Sequence, residues 1–358
     1  MKTMHPRLKA PSTHLPEKFH AAFELCFAAH DVIAQLLVSG MEAGLFVKNI
    51  KFQNHEDKVS FEEADDIFEW FKSSGRLEDK VDVLVSMVFP AVLSDMLHCI
   101  FEALETSRKG KLAISYMLLR KPLQESLYLL ESVIANKEDF AEKLSIDPLK
   151  LRPQNAGGVP GHTKRIQKVL EIIGEQDKFD AEYLAKLRYD KLERDSFDGI
   201  CNKAMHLFTE HHALRTEPHN VNFIFSGRDE IEGQWSFLYS RLPYVLLYVA
   251  SLSDYISLRY AETLPLYIDD IKRRLTALSL ISTSSTDAEY ITEQWKTLIA
   301  TNYHWLLGHC DENGYRAPEP NDLIKMGSTG AFPGETNKSV KARARIYDKI
   351  SDVNKNRS

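Results

Sequence analysis

The sequence predicts an all-α protein of about ten helices. Every long apolar pattern in its 358 residues repeats at intervals of three and four, the spacing that places side chains along one face of a helix. Only Phe46–Phe52 resembles a short strand, and no partner strand accompanies it. The chain has no repeat period, heptad run or low-complexity tract, so solenoid and coiled-coil folds are not expected.

The composition is that of a globular protein with a large core, since 44% of the residues are hydrophobic and 27% are charged. A net charge of -6 argues against a wholesale electrostatic attraction to nucleic acid, although a local basic patch is compatible with that average. The four cysteines lie far apart, which favours reduced thiols and a cytoplasmic location. The N-terminus has no apolar segment typical of a secretory signal.

Two apolar runs, Leu84–Leu104 and Leu242–Ala250, are predicted to be buried core helices. A membrane-spanning helix needs about 20 apolar residues. The first run carries Asp95, His98 and Glu102, and the second is only nine residues long. We therefore expect no membrane partner.

Residues 1–109 are predicted to form helices that pack on the core. The helices expected here run from about Pro16 to Gly40, from Ser60 to Gly75 and from Glu78 to Ser107. Pro16 suits a first helical turn, and Ser60 with Glu63 has the spacing of a capping box. Pro90 is expected to kink the longest of the three, because proline deletes a backbone hydrogen bond and clashes with the preceding turn.

Residues 110–312 are predicted to form the core as an antiparallel helical bundle. The helices expected here begin near Lys111, Lys164, Asp180, Arg194, Ser226, Thr263 and Thr286. Pro122 interrupts the first of them. Ser226 is expected to cap its helix, and Thr286 is expected to form a capping box with Glu289.

Two regions are predicted to lack long helices. Residues 145–163 collect glycine and proline and are predicted to be a surface loop inserted into the core region. Residues 313–358 are predicted to be a loop as far as Thr336, followed by a basic tail. Such a tail is typical of a solvated terminal helix, although its cations suit phosphate as well.

The best site candidate is a polar stripe on the helix expected from Arg194. Asp198, Asn202, His206 and Glu210 follow one another at four-residue intervals and therefore share one helical face. We expect Asn202 and His206 to face inward and to hydrogen-bond the helix at residues 112–134, because buried polar groups need partners.

That facing helix supplies two further site candidates, Arg120 and Glu125. If Arg120 reaches His206, the pair would hold a phosphate, and Glu125 would offset the desolvation of the guanidinium. On a straight helix Arg120 and Glu125 point in different directions. A kink at Pro122 is expected to let both face one pocket.

A di-metal site is an alternative. The tetrapeptides at residues 17–20 and 95–98 are both acid-x-x-His, the spacing of di-metal helical bundles. Glu125 or Glu131 would complete the ligand set of a di-metal carboxylate enzyme. The histidines between residues 206 and 219 lack a recognised zinc spacing. We therefore expect no cofactor in the favoured interpretation.

Two segments carry a resemblance to a known family, YMLLRKPLQESLYLLESV at 116–133 and YDKLERDSFDGICNKAMHLFT at 189–209. With NFIFS and QWSFLYSRLPYVLLYV they resemble a bacterial family of helical proteins related to the HEPN superfamily (higher eukaryotes and prokaryotes nucleotide-binding). The resemblance covers about residues 110–260. It implies a HEPN-like antiparallel helical core with extra N- and C-terminal helices, often in a homodimer, in bacterial defence or stress.

Active HEPN members are similar to metal-independent ribonucleases, in which four to six residues separate an arginine from a histidine on one helix. The histidine matches His206, but residues 199–201 are glycine, isoleucine and cysteine. The resemblance therefore implies a non-catalytic or weakly catalytic protein that binds a nucleotide, RNA or a partner protein. A ribonuclease with a rearranged site, completed by Arg120, is the alternative.

Overall fold

The computed structural model describes residues 6–260 and 265–345, and all regular secondary structure within these ranges is helical. This confirms the all-α prediction. The helix start expected at Thr263 and residues 346–358 of the expected tail lie outside the described ranges. The α-helices are α1 (His20–Glu42), α2 (His55–Glu62), α3 (Ile67–Ser73), α4 (Leu77–Arg108), α5 (Leu112–Lys121), α6 (Leu127–Ala135), α7 (Lys137–Ile146), α8 (Gly158–Ile173), α9 (Ala181–Tyr189), α10 (Phe197–Met205), α11 (Arg228–Leu258), α12 (Pro265–Ser285), α13 (Glu293–Glu312) and α14 (Pro320–Thr329).

One apolar core joins the N-terminal helices to those of the central region. Phe23 of α1 and Leu93 of α4 belong to the same buried cluster as Tyr116 of α5 and Leu246 of α11. Helix α11 is buried on all sides over much of its length because it passes through the middle of this cluster. Gly227, rather than the predicted Ser226, occupies its N-cap.

Two helices are long and apolar enough to cross a membrane by length and composition alone, α1 with its preceding turn (Glu17–Glu42) and α4 (Leu77–Arg108). In their most apolar windows, 50% and 44% of the residues are buried inside the protein. Core helices of soluble proteins pass the same test, so length and composition are weak indications of a membrane span.

Two further predicted caps are wrong, and the segment that resembles a short strand does not form one. The side chain of Asn54 caps α2, and Ser60 lies within that helix. Thr292 caps α13 instead of Thr286. Residues 46–52 form a turn and irregular chain, as expected of a segment with no strand to pair with. Several nearby side chains offer the same capping oxygen, so the choice among them depends on packing.

The loop expected at residues 145–163 is shorter than predicted, because α8 begins at Gly158. Gly157 and Gly158 have positive φ angles of 84° and 67°, which allow the chain to turn into α8. A β-carbon on Gly161 would lie 1.7 Å from the carbonyl oxygen of Ala156. This turn and α8 therefore pack too closely for a larger residue at that position.

The loop expected before Thr336 contains α14. Glu319 and Asp322 form a capping box at the start of this helix, and Pro320 occupies its first turn. Residues 337–345 are helical as well. The start of α14 was not predicted from the sequence, because the whole segment was expected to be one loop.

Helix α10 is shorter at both ends than the predicted helix from Arg194 through Glu210. Ser196 begins it by accepting a hydrogen bond from the backbone N–H of Asp198 at 3.1 Å. It ends at Met205, and His206 has an extended backbone with φ of −124°. A connector made of residues 206–227 then leads to α11.

Candidate functional site: a buried ion-pair network and an open cavity

Glu131 on α6 is completely buried, and its carboxylate is paired with two arginines. Its Oε2 accepts a hydrogen bond from Arg165 Nη2 at 2.9 Å, and its Oε1 forms an ion pair with Arg188 Nη1. The hydroxyl of Tyr248 donates to Oε1 at 3.2 Å. Arg188 is also completely buried. These contacts allow α6 to carry an acid in the core, because a buried charge is tolerated only when it is paired and hydrogen-bonded.

The charges in this network determine one another's pKa. Burial opposes ionisation of Glu131, but Arg188 and Arg165 outweigh it and lower the pKa of the carboxyl. Burial also opposes the charge on Arg188, and Glu131 outweighs it, so the pKa of the guanidinium is raised. The fold therefore holds both partners in their charged forms.

His162 on α8 completes the network as a neutral ring. It is 3% exposed and stacks on Tyr189 with 3.5 Å between ring centroids. Arg165 Nη2 donates to its Nδ1 at 2.8 Å. Burial, followed by the charges of Arg165 and Arg188, lowers the pKa of His162 to about 3. The imidazole therefore serves as an acceptor for Arg165 at neutral pH.

A π-helical segment, Pro122–Ser126, joins α5 to α6 and provides acceptors for α9. Arg188 Nε donates to the carbonyl of Leu123 at 2.7 Å, and the hydroxyl of Tyr189 donates to the carbonyl of Gln124 at 3.0 Å. Proline lacks an N–H group, and a π-turn loosens the regular backbone pairing. The interruption at Pro122 therefore becomes the attachment point for α9.

Gln124 connects this network to α10. Its amide Nε2 donates to the carbonyl of Arg188 and to Asp198 Oδ1, both at 2.8 Å. Asp198 is 5% exposed, and its Oδ1 also accepts from Asn202 Nδ2 at 3.2 Å. Asp198 thus makes the contact with the 112–134 helix that was predicted for Asn202 and His206. Its position in the first turn of α10 points it at that helix.

His206 does not face inward, so that prediction is wrong. Its side chain is exposed, and within the described protein its ring makes no hydrogen bond. The reason is the end of α10 at Met205, which takes His206 off the helical face shared by Asp198 and Asn202. Only its backbone is held, because the carbonyl accepts from Asn222 Nδ2 at 2.8 Å.

The pairing expected of Arg120 and Glu125 is also not formed. Arg120 on α5 is half-buried, and its Nε is buried without a hydrogen-bond partner. Its charge opposes the rise that burial causes in the pKa of the Cys201 thiol, which places the guanidinium near α10. Glu125 is exposed, and neither it nor His206 bonds Arg120. The π-turn at Pro122 directs Gln124 inward and leaves Glu125 in solvent.

A surface cavity of about 280 Å³ nevertheless brings together three members of the predicted stripe. Asn202, His206 and Glu210 line it. Its other lining residues are Lys191, Phe208, Thr209, His211 and Leu214. The stripe therefore converges on one site through the connector rather than along a helix.

Asn222 organises the connector around this cavity. It is 8% exposed, and its Nδ2 donates to the carbonyl of His206 and, at 3.3 Å, to Thr209 Oγ1. Its Oδ1 accepts from Thr216 Oγ1 at 3.1 Å. Phe223 has a φ of 61° and packs its ring 5.9 Å from that of Tyr116 on α5. These contacts hold the connector against α5 and α10.

The residues of the di-metal alternative do not converge. His20 Nε2 lies 3.0 Å from the carbonyl of Leu15, and Asp95 pairs with Lys121 at 2.7 Å. Glu131 is enclosed by its arginines. Within the described ranges no group of three or more histidine, cysteine, aspartate or glutamate side chains is placed to hold a metal ion.

The ion-pair network was not predicted from the sequence, although one signal for it was present. Glu131 is an acid within an otherwise apolar helix, and it was considered only as a metal ligand. A buried acid requires a cation, but Arg165 and Arg188 are 34 and 57 residues away in sequence. No local spacing identifies them.

Known proteins add no further assignment, since no protein-family model, curated protein or solved structure matches this chain. The function must therefore be argued from the geometry of the site. The HEPN resemblance of residues 110–260 stays a prediction, as do the roles that it implies.

Proposed function

We propose that the protein is a non-catalytic, HEPN-like binding protein of bacterial defence or stress that takes a nucleotide, free or within RNA, in the cavity at the end of α10. The lining of that cavity carries the proposal. Lys191, His206 and His211 lie there beside Phe208, whose side chain is 64% exposed. Lysine and histidine N–H groups donate to phosphate oxygens, and aromatic rings stack on bases.

The size and charge of the cavity fit a small ligand of mixed polarity. A volume of about 280 Å³ is near the lower end for ligand pockets, which suits one nucleotide unit. Glu210 is the one carboxylate in the lining, which also contains the ammonium of Lys191. Phosphate recognition would therefore rely on directed hydrogen bonds from Lys191, His206 and His211 more than on net charge.

The environment of His206 favours binding over catalysis. A general base works best when a second group orients its ring, as in catalytic triads. The His206 ring is exposed and has no partner within the described residues, and Arg120 is not hydrogen-bonded to it. This arrangement supports a non-catalytic protein over the ribonuclease alternative.

Binding of a partner protein, or of a second copy of the chain, is a second candidate function. Large apolar side chains are exposed at the end of α10 and along the connector, and they are Met205, Leu207, Phe208, Ile224 and Phe225; of these, Phe208 lines the cavity. Clusters of exposed apolar residues mark interaction sites more often than isolated ones do. Nucleotide binding and a partner interface are compatible on this surface.

The proposal is tested by measuring the affinity of adenosine 5′-monophosphate and of a labelled single-stranded RNA. Substituting both Lys191→Ala and His206→Ala should weaken binding about tenfold or more, because charge-assisted hydrogen bonds are lost. His304→Ala, an exposed histidine on α13, is the matched control and should leave affinity unchanged. No binding by the wild type, or equal binding by the double variant, would contradict the proposal.

Cleavage assays separate this proposal from the ribonuclease alternative. We expect no metal-free RNA cleavage by the wild type or by His206→Ala. Cleavage by the wild type that disappears in His206→Ala, with RNA binding retained, would establish the alternative.

A further inference from the structure

The amide of Asn202 has one orientation in this structure. Its Nδ2 lies 3.0 Å from the backbone carbonyl oxygen of Asp198 and 3.2 Å from Asp198 Oδ1. Both of these atoms accept hydrogen bonds only, since Asp198 is a carboxylate and the other atom is a carbonyl oxygen. The nitrogen of the amide must therefore face Asp198.

This orientation leaves the other end of the amide for a ligand. Asn202 lines the cavity, and its Oδ1 accepts no hydrogen bond from any described residue. This oxygen has no partner among the described residues and is not buried, so it is accessible to a ligand. The cavity therefore presents a hydrogen-bond acceptor at Asn202, in contrast to the donors of Lys191 and His211.

Asp198 is itself held in place from the core. Gln124 Nε2 donates to Asp198 Oδ1 and to the carbonyl of Arg188, both at 2.8 Å. Both acceptors again dictate which end of the Gln124 amide faces them. Arg188 is fixed by its ion pair with Glu131. A flip of the Asn202 amide would place its oxygen against the two acceptor oxygens of Asp198 and remove the hydrogen bonds that Nδ2 donates to them.

We propose that Asn202 determines specificity by accepting a hydrogen bond from a nucleobase, so that the cavity selects bases carrying an N–H donor such as the amino group of adenine. Gln124 and Asp198 are positioning residues that keep the acceptor directed at the ligand. Phosphate would contact the donors of Lys191 and His211, and the base would lie against Phe208. This inference rests on the proposed function, because it requires a nucleotide in the cavity.

The test compares adenosine 5′-monophosphate with purine riboside 5′-monophosphate, which lacks only the amino group. The wild type should bind the first about tenfold more tightly, because the second leaves Asn202 Oδ1 unpaired. Asn202→Leu should bind both nucleotides equally. Wild-type binding of both with equal affinity would overturn this inference and leave the proposed function standing, whereas binding of neither would overturn the proposed function.

Variants of Asp198 separate positioning from simple support of the fold. Asp198→Asn retains an oxygen for Gln124 and Asn202 and should keep the tenfold preference. Asp198→Leu removes the Oδ1 acceptor, leaves only the backbone carbonyl of residue 198 to orient the Asn202 amide, and should therefore reduce the preference. Circular dichroism checks that each variant is folded. A preference that is unchanged in folded Asp198→Leu would exclude the positioning role.

Discussion

The network around Glu131 and the cavity around His206 are built from neighbouring helices and differ in how their polar groups are satisfied. In the network, Glu131 accepts from Arg165, Arg188 and Tyr248. In the cavity, the His206 ring has no partner within the described chain. Gln124 and Asp198 connect the two regions, so the network supports the geometry of the cavity.

This difference reflects the cost of burial. A buried charge that lacks a partner costs several kcal/mol, so the network must be complete in the folded protein. An exposed group is hydrogen-bonded by water and can exchange that water for a ligand. Full pairing therefore indicates a structural role for Glu131, and accessible unpaired groups indicate a binding role for the cavity.

The largest expected effect follows from breaking the network at its centre. Glu131→Gln removes the charge that balances Arg165 and Arg188, and it should lower the free energy of unfolding by about 3–5 kcal/mol. Urea denaturation measures the change. Glu125→Gln, an exposed glutamate close by in sequence, is the control and should change it by less than about 0.5 kcal/mol. Similar losses for both variants would show that the Glu131 ion pairs do not stabilise the fold.

Acid should weaken the network through His162. Its pKa is about 3 in the folded protein and 6.5 ordinarily, so below pH 6.5 the unfolded chain takes up a proton that the folded chain refuses until about pH 3. Stability attributable to His162 is therefore lost as the pH falls through this window, by about 2 kcal/mol down to about pH 4.5.

The substitution His162→Gln isolates this effect, because glutamine can still accept from Arg165 and does not titrate. Denaturation measured at several pH values should show a shallower loss of stability for this variant than for the wild type. His55→Gln, an exposed histidine on α2, should follow the wild type. Parallel curves for the wild type and His162→Gln would show that His162 is not held neutral.

A smaller effect is expected at Asn222, which is buried and holds the connector beside the cavity. Asn222→Ala removes hydrogen bonds to the carbonyl of His206 and to Thr209 and Thr216, and it should cost about 1–2 kcal/mol of stability. Affinity for adenosine 5′-monophosphate should fall with it, because the connector shapes the cavity. Asn220→Ala, on the same connector but exposed, should change neither quantity.

The smallest effect on stability is expected at the cavity itself. His206→Ala should alter the free energy of unfolding by less than about 0.5 kcal/mol, because the exposed ring has no protein partner to lose. The same denaturation series measures it. A loss above about 2 kcal/mol would mean that the His206 ring is packed into the fold and stabilises it, as Glu131 does.

Helices were predictable from the sequence because their signals are local. The three-four periodicity of apolar residues identified α4, α5 with α6, and α11, and Asp180 marked the start of α9. The interruption at Pro122 was also evident, since proline lacks a backbone donor wherever it occurs. Helix ends were less predictable, because several residues near each end offered equivalent caps.

Residues of the candidate cavity could be chosen from the sequence, but their arrangement could not. Asn202, His206 and Glu210 were grouped as one helical stripe, and all three line the cavity. The chain leaves α10 after Met205, and Asn222 then holds the carbonyl of His206 within the connector. That contact depends on how the connector folds back, which helical periodicity does not describe.

The sequence by itself determined that this chain is helical and that a few polar residues stand out on its apolar helices, since both follow from the order of neighbouring residues. Only the tertiary structure decided that Glu131 meets Arg165 and Arg188, that Asp198 rather than His206 faces Gln124, and that His206 lies in solvent. The physical reason is that periodicity acts over one or two helical turns. The pairing of buried charges depends instead on which distant helices the core brings together.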